Sequence, residues 1–205
     1  MKEKTIVAAA WILSALAGLL AVFVWATSFA WHFSNLSIYQ VFPVLGLLAF
    51  SIMWSHYLAG LVRRLTGTAP QALASYFRLT GYVVLVAICL HPGLLIYQLF
   101  RDGMGFPPGS YERYVAPGLG WITLIGTTSL FIFLAYEFKR FFGGRSWWKF
   151  VDYATDLAML GIFYHGLKLG SQLQSGPFRY VWYFYGLTLV IAIIHKYTWR
   201  GRLTP

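Results

Sequence analysis

The chain of 205 residues has little charge: Asp, Glu, Lys and Arg make up 11% of it, and only six residues are acidic. Soluble domains carry roughly a quarter of their residues as charges, so a wholly aqueous exterior is excluded. Cysteine is nearly absent. Cys89, the one present, lies inside an apolar run, which excludes an intrachain disulfide and any cysteine-based metal or iron–sulfur site. No glycine-rich turn follows a strand-like segment to open a helix, so there is no nucleotide-binding fingerprint, and chemistry on NAD(P)H or ATP must reside on another chain. Neither an internal repeat, a low-complexity tract nor a second domain interrupts the sequence, and 1–205 reads as one unit.

What is present is apolar. Hydrophobic residues make up 59% of the chain and the mean hydropathy is +0.62. Six stretches, 5–31, 41–62, 79–100, 119–138, 150–169 and 180–197, are each long enough to cross about 30 Å of hydrocarbon. The expected fold is therefore all-α, a polytopic membrane protein built as a six-transmembrane-helix bundle in contact with the lipid bilayer. The first stretch is too long for a cleavable signal peptide, and no small-residue cleavage site follows before Trp31-His32-Phe33.

An N-terminus inside places Lys2, Lys4, Arg63, Arg64, Arg78, Lys139, Arg140, Arg145, Lys149, Lys196, Arg200 and Arg202 on the inner side, twelve of the 16 basic residues. Positive charge collects in the cytoplasm, so both termini are expected there. The same distribution explains the net charge of +10 without nucleic acid as a partner. A multi-pass location in a cell membrane, of the prokaryotic cytoplasmic type, follows. Trp31, Trp54, Trp121, Trp147, Trp148, Trp182 and Trp199, with Tyr111 and Tyr114, fall near span ends and read as interface anchors. The outer loop 101–114, with Gly-Met-Gly-Phe-Pro-Pro-Gly, reads as a turn-rich connector, with a lid over an outer site as the alternative.

Ionisable residues inside a span are costly and call for a functional reading. His91 stands 12 residues into the third span and His165 15 into the fifth, so the two are nearly level in the outer half of the bilayer. Imidazoles on two helices of a bundle can fill both faces of a flat cofactor, as a six-coordinate b-type haem requires. A pair of hydrogen-bonded core histidines is the competing reading. Pro92 is expected to loosen the backbone beside His91.

In the inner half, His56 and His195 each stand 15 residues into their spans, beside Arg63, Arg64 and Lys196. They read as a substitute haem ligand pair, as polar contacts for a quinone or flavin, or as interfacial residues. Asp152 and Asp156 share one helix face at i, i+4, and a carboxylate there must pair with a cation or take a proton. Arg78 is the expected partner of Asp152. Asp156, near His56 or His195, is either a proton relay or a structural ion pair. Glu137 reads as an interfacial salt bridge with Lys139 and Arg140, and His32 as a headgroup-level residue. Lys168, Arg179, Arg101 and Arg113, near the outer surface, are candidates to hold haem propionates.

The segment Phe77-Arg78-Leu79-Thr80-Gly81, followed by Ala87-Ile88-Cys89-Leu90-His91-Pro92, resembles the third helix of the ferric reductase-like transmembrane domain family. That helix usually reads Leu-His-Arg-x-x-Gly and then Leu-His-Pro. Trp147-Trp148-Lys149-Phe150-Val151-Asp152-Tyr153, followed by Phe163-Tyr164-His165-Gly166, is similar to the family's fifth helix, and Val44-Leu45-Gly46-Leu47-Leu48-Ala49-Phe50 to its second. The family includes NADPH oxidases, ferric reductases and the membrane partner of a periplasmic methionine sulfoxide reductase. The resemblance implies a bundle that moves electrons through b-type haems, with His91 and His165 as the outer ligand pair.

Phe77 and Asp152 stand where the family's inner ligands would be. An aromatic ring cannot ligate iron, and a carboxylate is a poor axial ligand for a low-spin haem, so a one-haem variant is expected. About 13 residues, roughly 20 Å of helix rise, separate the outer iron from the lost inner position. Either another cofactor lies between them or electrons enter and leave on the outer side. The expected function is a membrane electron-transfer subunit, the oxidoreductase component of a ferric reductase-like system. It would exchange electrons between a quinol or flavoprotein donor and an extracytoplasmic acceptor. The alternative is a haem-free or haem-structural assembly subunit of a larger membrane complex. A small transporter or channel fits less well, since only the fifth span carries charge well inside it and half-helix symmetry is missing.

Overall fold

In hydrocarbon each backbone amide has to be satisfied within its own segment, which for apolar stretches of this length leaves long helices. The computed structural model describes residues 2–142 and 147–200, and every regular element among them is helical. Arg145 and Arg202, counted above among the inner cations, lie outside the described residues. The helices are α1 (Lys2–Thr27), α2 (Ile38–Thr66), α3 (Ala74–Arg101), α4 (Gly109–Tyr114), α5 (Gly120–Phe142), α6 (Trp148–Leu169) and α7 (Phe178–Arg200), with a 3-10 turn at Pro70–Leu73 before α3 and another at Ser171–Leu173.

Five of these, α1, α2, α3, α5 and α7, are long and apolar enough to cross a membrane. The sequence reading of six spans is thereby reduced to five on length and hydropathy. The exception, α6, has spanning length at 22 residues, but Lys149, Asp152, Asp156 and Lys168 dilute its apolar character. α2 runs beyond its expected bounds because both ends are capped. The Gln40 side chain accepts the Ser37 backbone N–H at 2.8 Å. At the other end Gly67, at φ 67°, turns the chain back onto the Arg63 and Arg64 carbonyls. Pro92 does not break α3, which continues through it to Arg101.

Around the bundle, α2 packs on α3, α3 on α5, α5 on α6 and α6 back on α2. These four enclose one interior, with the histidine-bearing helices α3 and α6 on a diagonal. α1 packs against α2, and α7 against α2 and α6. A buried hydroxyl node fixes α1: Ser14 Oγ lies 2.5 Å from Ser55 Oγ and 2.7 Å from the Tyr76 hydroxyl. Aromatic stacking fixes α7, with ring centroids 4.2 Å apart for Phe50–Trp182 and 4.0 Å for Trp54–Tyr185. The Trp54 indole N–H donates to Thr188 Oγ1 at 2.8 Å.

Trp54, Trp148, Trp182 and Tyr111 are buried, which corrects their reading as interface anchors: their rings fill the helix contacts. Trp31, Trp121 and Trp147 are exposed, as headgroup-level residues would be. Nothing is described for the Trp199 side chain.

Candidate functional site

His91 and His165 each stand seventeen residues from the start of their helices, Ala74 and Trp148. Each imidazole is tied to the helix that precedes it in the chain. His91 Nδ1–H donates to the Phe42 carbonyl at 2.8 Å, and His165 Nδ1–H donates to the Ile122 carbonyl at 2.9 Å. A carbonyl can only accept, so both rings are held in the tautomer whose Nε2 carries the lone pair. Among the described residues neither Nε2 has a hydrogen-bond partner. This is the arrangement of a ligating histidine, whose second nitrogen is oriented by a backbone carbonyl.

Helix carbonyls point along the axis toward residue i+4, so a ring bonded to carbonyl i comes to rest over residue i+4. Here those residues are Gly46 and Gly126. A Cβ at either glycine would sit 2.8 Å from the ring's Cε1 and 3.0 Å from its Nδ1. Only glycine permits so close an approach. Phe42-Pro43-Val44-Leu45-Gly46 with His91 on the next long helix matches Ile122-Thr123-Leu124-Ile125-Gly126 with His165 on its own next helix. The same histidine-on-carbonyl-and-glycine contact thus occurs in both helix pairs, α2–α3 and α5–α6. A glycine inside an apolar helix was the available signal, because it costs helix stability without a packing reason.

The outer loop is more than a connector. In it, α4 buries Tyr111 with Phe42, Leu95 and Leu99. Tyr114 stacks on Tyr39 at 5.3 Å, and the Phe42 ring lies 5.1 Å from His91. Asp102 ties the cap down by accepting from the Tyr39 hydroxyl at 2.6 Å and the Gln98 amide at 2.9 Å. Those two donors, the tyrosine hydroxyl first, hold the Asp102 carboxyl below its ordinary value.

The four outer cations expected to meet propionates are exposed. Arg179 donates to the Tyr183 hydroxyl at 2.7 Å and to the Gln174 carbonyl at 3.2 Å, while the Lys168 ammonium lies 5.6 Å from the Tyr164 ring centre. Arg101 and Arg113 flank the α4 cap. His32 is exposed too, in keeping with a headgroup-level position.

The half of the bundle expected to be inner contains a cavity of about 520 Å³ lined by α2, α3, α5, α6 and α7. Phe77 and Asp152, at the positions where the resemblance would put inner ligands, both line it, and so do His56, Glu137 and Asp156. Asp152 pairs with Lys139 at 2.6 Å. This corrects the expected Arg78 partner. Arg78 is exposed on the far side of α3, whereas Lys139, at the end of α5, faces the start of the antiparallel α6. Asp156 pairs with Lys196 at 2.6 Å and accepts from the Tyr57 hydroxyl at 2.8 Å and from Tyr197. The ion pair, one of its two sequence readings, is thus present. His195 does not line the cavity, and its Nδ1 accepts from Arg64 at 3.4 Å. His56 Nε2 lies 2.6 Å from Thr80 Oγ1, so the pair suggested as substitute ligands have separate partners.

No cluster of three or more His, Cys, Asp or Glu among the described residues is built to hold a metal ion. A macrocycle that brings four nitrogens of its own asks only for two axial imidazoles. Comparison with family models, curated proteins and solved structures finds no match to this chain. The apolar helices mark a multi-pass membrane protein, and His91 and His165 are held alike, each on a carbonyl and a glycine of the preceding long helix.

Proposed function

We propose that this chain is a membrane electron-transfer subunit whose His91 and His165 hold a b-type haem (heme b) through their Nε2 atoms, in the outer half of a cell membrane crossed six times. The observation that carries the reading is the matched state of the two imidazoles. Both are locked by a backbone carbonyl into the tautomer with a bare Nε2, both rest on a glycine, and both stand at the same helix depth. A haem-free assembly role gives no reason for two such nitrogens to be kept unpaired on diagonal helices.

The group would supply a one-electron iron centre whose potential depends on its axial ligands and surroundings. The chain's residues set those surroundings. The Phe42 and Ile122 carbonyls orient the rings and raise their basicity. Phe42, Tyr111 and Tyr114 cover His91 and limit water there. Arg101 and Arg113 at the cap, with Lys168 one turn beyond His165, supply positive charge at the outer surface. α6 is the sixth span, since Lys139 and Lys196 neutralise its two carboxylates inside the bundle and lower the cost of carrying them into lipid. The distribution of basic residues supports both termini in the cytoplasm. The donor is a quinol or a flavoprotein, and the acceptor is extracytoplasmic.

A reduced-minus-oxidised spectrum of the purified chain tests the reading. Sharp alpha and Soret bands are expected in the wild type and in His32→Ala, and their loss in His91→Ala and in His165→Ala. A well-folded wild type with no haem bands refutes it.

A further inference from the structure

The Thr80 hydroxyl has one proton and donates it to the Tyr76 carbonyl at 2.6 Å. The 2.6 Å contact between Thr80 Oγ1 and His56 Nε2 must then be donated by the imidazole, so Nε2 carries hydrogen and Nδ1 carries the lone pair. Among the described residues no group donates to that Nδ1. The ring cannot turn freely to find one: Tyr76 and Phe77 hold it edge-on, at centroid distances of 5.4 and 5.3 Å and interplanar angles of 78° and 87°. His56 lines the inner cavity, where it is an acceptor in want of a donor.

The cavity's volume, about 520 Å³, falls within the range of small-molecule sites, ~300–1,000 Å³. Its charges balance, with Arg64, Lys139 and Lys196 against Glu137, Asp152 and Asp156. The walls therefore call for no net charge on a ligand. Part of the wall is apolar and partly aromatic, formed by Phe77, Val84 and Phe133 among others. An acceptor nitrogen on one side, carboxylates on another and aromatic faces between them suit a flat ring with hydroxyl donors at its edge.

We propose that the inner cavity binds a neutral hydroxylated aromatic ring, of the hydroquinone or phenol class, with His56 Nδ1 accepting one of its hydroxyl protons. The proposal does not depend on the His91–His165 reading, because these walls lie below the histidine pair and belong to other residues.

The test is calorimetric titration of the full chain in detergent with 2,3-dimethylhydroquinone and, separately, with its dimethyl ether, which has the same ring and no donors. The hydroquinone is expected to bind, and the ether about tenfold or more weakly, the worth of one good hydrogen bond. His56→Phe is expected to lose the same factor. Thr80→Val, which frees the imidazole to change tautomer, should weaken binding in a protein of unaltered helical content. The His165→Ala protein should bind as the wild type does, so a failed haem assignment leaves this result standing. In vesicles, a decyl chain on the ring should tighten binding if the ligand is a membrane carrier and leave it unchanged if it is a soluble phenol; either result supports the ring site. No heat of binding at millimolar hydroquinone, equal affinity for the ether, or full affinity in His56→Phe would overturn the proposal.

Discussion

Adding one methyl group at Gly126 is a sensitive probe of the paired-histidine site. A Cβ there would lie 2.8 Å from His165 Cε1, while carbon atoms in good contact sit about 3.5 Å apart. The imidazole must therefore retreat by roughly 0.7 Å. Its bond to the Ile122 carbonyl, 2.9 Å long, would stretch toward about 3.6 Å, where it no longer counts as a hydrogen bond. Overpacking of this kind costs about 1–3 kcal/mol, and loss of the bond about 1 kcal/mol more. For haem affinity, loss of an orienting partner to a ligating histidine is worth about 10- to 100-fold.

Gly46→Ala should behave like Gly126→Ala, since the distances to His91 are the same 2.8 and 3.0 Å. Gly93→Ala is the control, because nothing lies within 4 Å of its added methyl and alanine is the better helix former by about 1 kcal/mol. The assays are thermal unfolding in detergent, haem titration by Soret absorbance, and ¹⁵N NMR of the imidazoles to read the tautomer. If Gly46→Ala and Gly126→Ala kept the stability, tautomer and haem affinity of Gly93→Ala, the carbonyl-and-glycine cradle would be refuted.

Asp156→Asn leaves the largely buried Lys196 ammonium without its counter-charge and should cost about 3 kcal/mol. Asp152→Asn, in a more exposed pair, should cost ~1 kcal/mol or less; chemical denaturation in mixed micelles compares the two. Tyr76→Phe removes the centre of the hydroxyl node joining α1, α2 and α3 and should lower stability by about 1–2 kcal/mol, with faster hydrogen exchange along α1. For Asp102, the folded-state value lies below the ordinary 3.8, so its contribution is fully present above that pH and is lost as pH falls through the folded value. Hydrogen exchange at the start of α2 and the end of α3 should accelerate in that acid window, and Asp102→Asn should abolish the pH dependence.

The helices were legible in the sequence because they follow from a local quantity, apolar run length, and the positions of His91 and His165 along them from rise per residue. The span count was less so: 150–169 reads as a span, but the charges on α6 leave it short of the apolar character of the other five helices. Partners across helices were not legible. Arg78 and Lys139 are equally plausible companions for Asp152 until the rotation of α3 turns Arg78 outward. The tryptophans misled for a similar reason: Trp182 lies near a span end and Trp54 within a span, but the burial of both is fixed by which helix packs alongside. The tautomers of His56, His91 and His165 depend on single carbonyl or hydroxyl contacts tens of residues away, which no spacing rule reports.

The ratio of haem to protein, from pyridine haemochrome absorbance against quantitative amino-acid analysis, tests the paired-histidine assignment most directly. One haem per chain is expected, falling to none when either His91 or His165 is replaced by alanine. A ratio of zero in folded wild-type protein would contradict the assignment, and a ratio of two would contradict the one-haem reading.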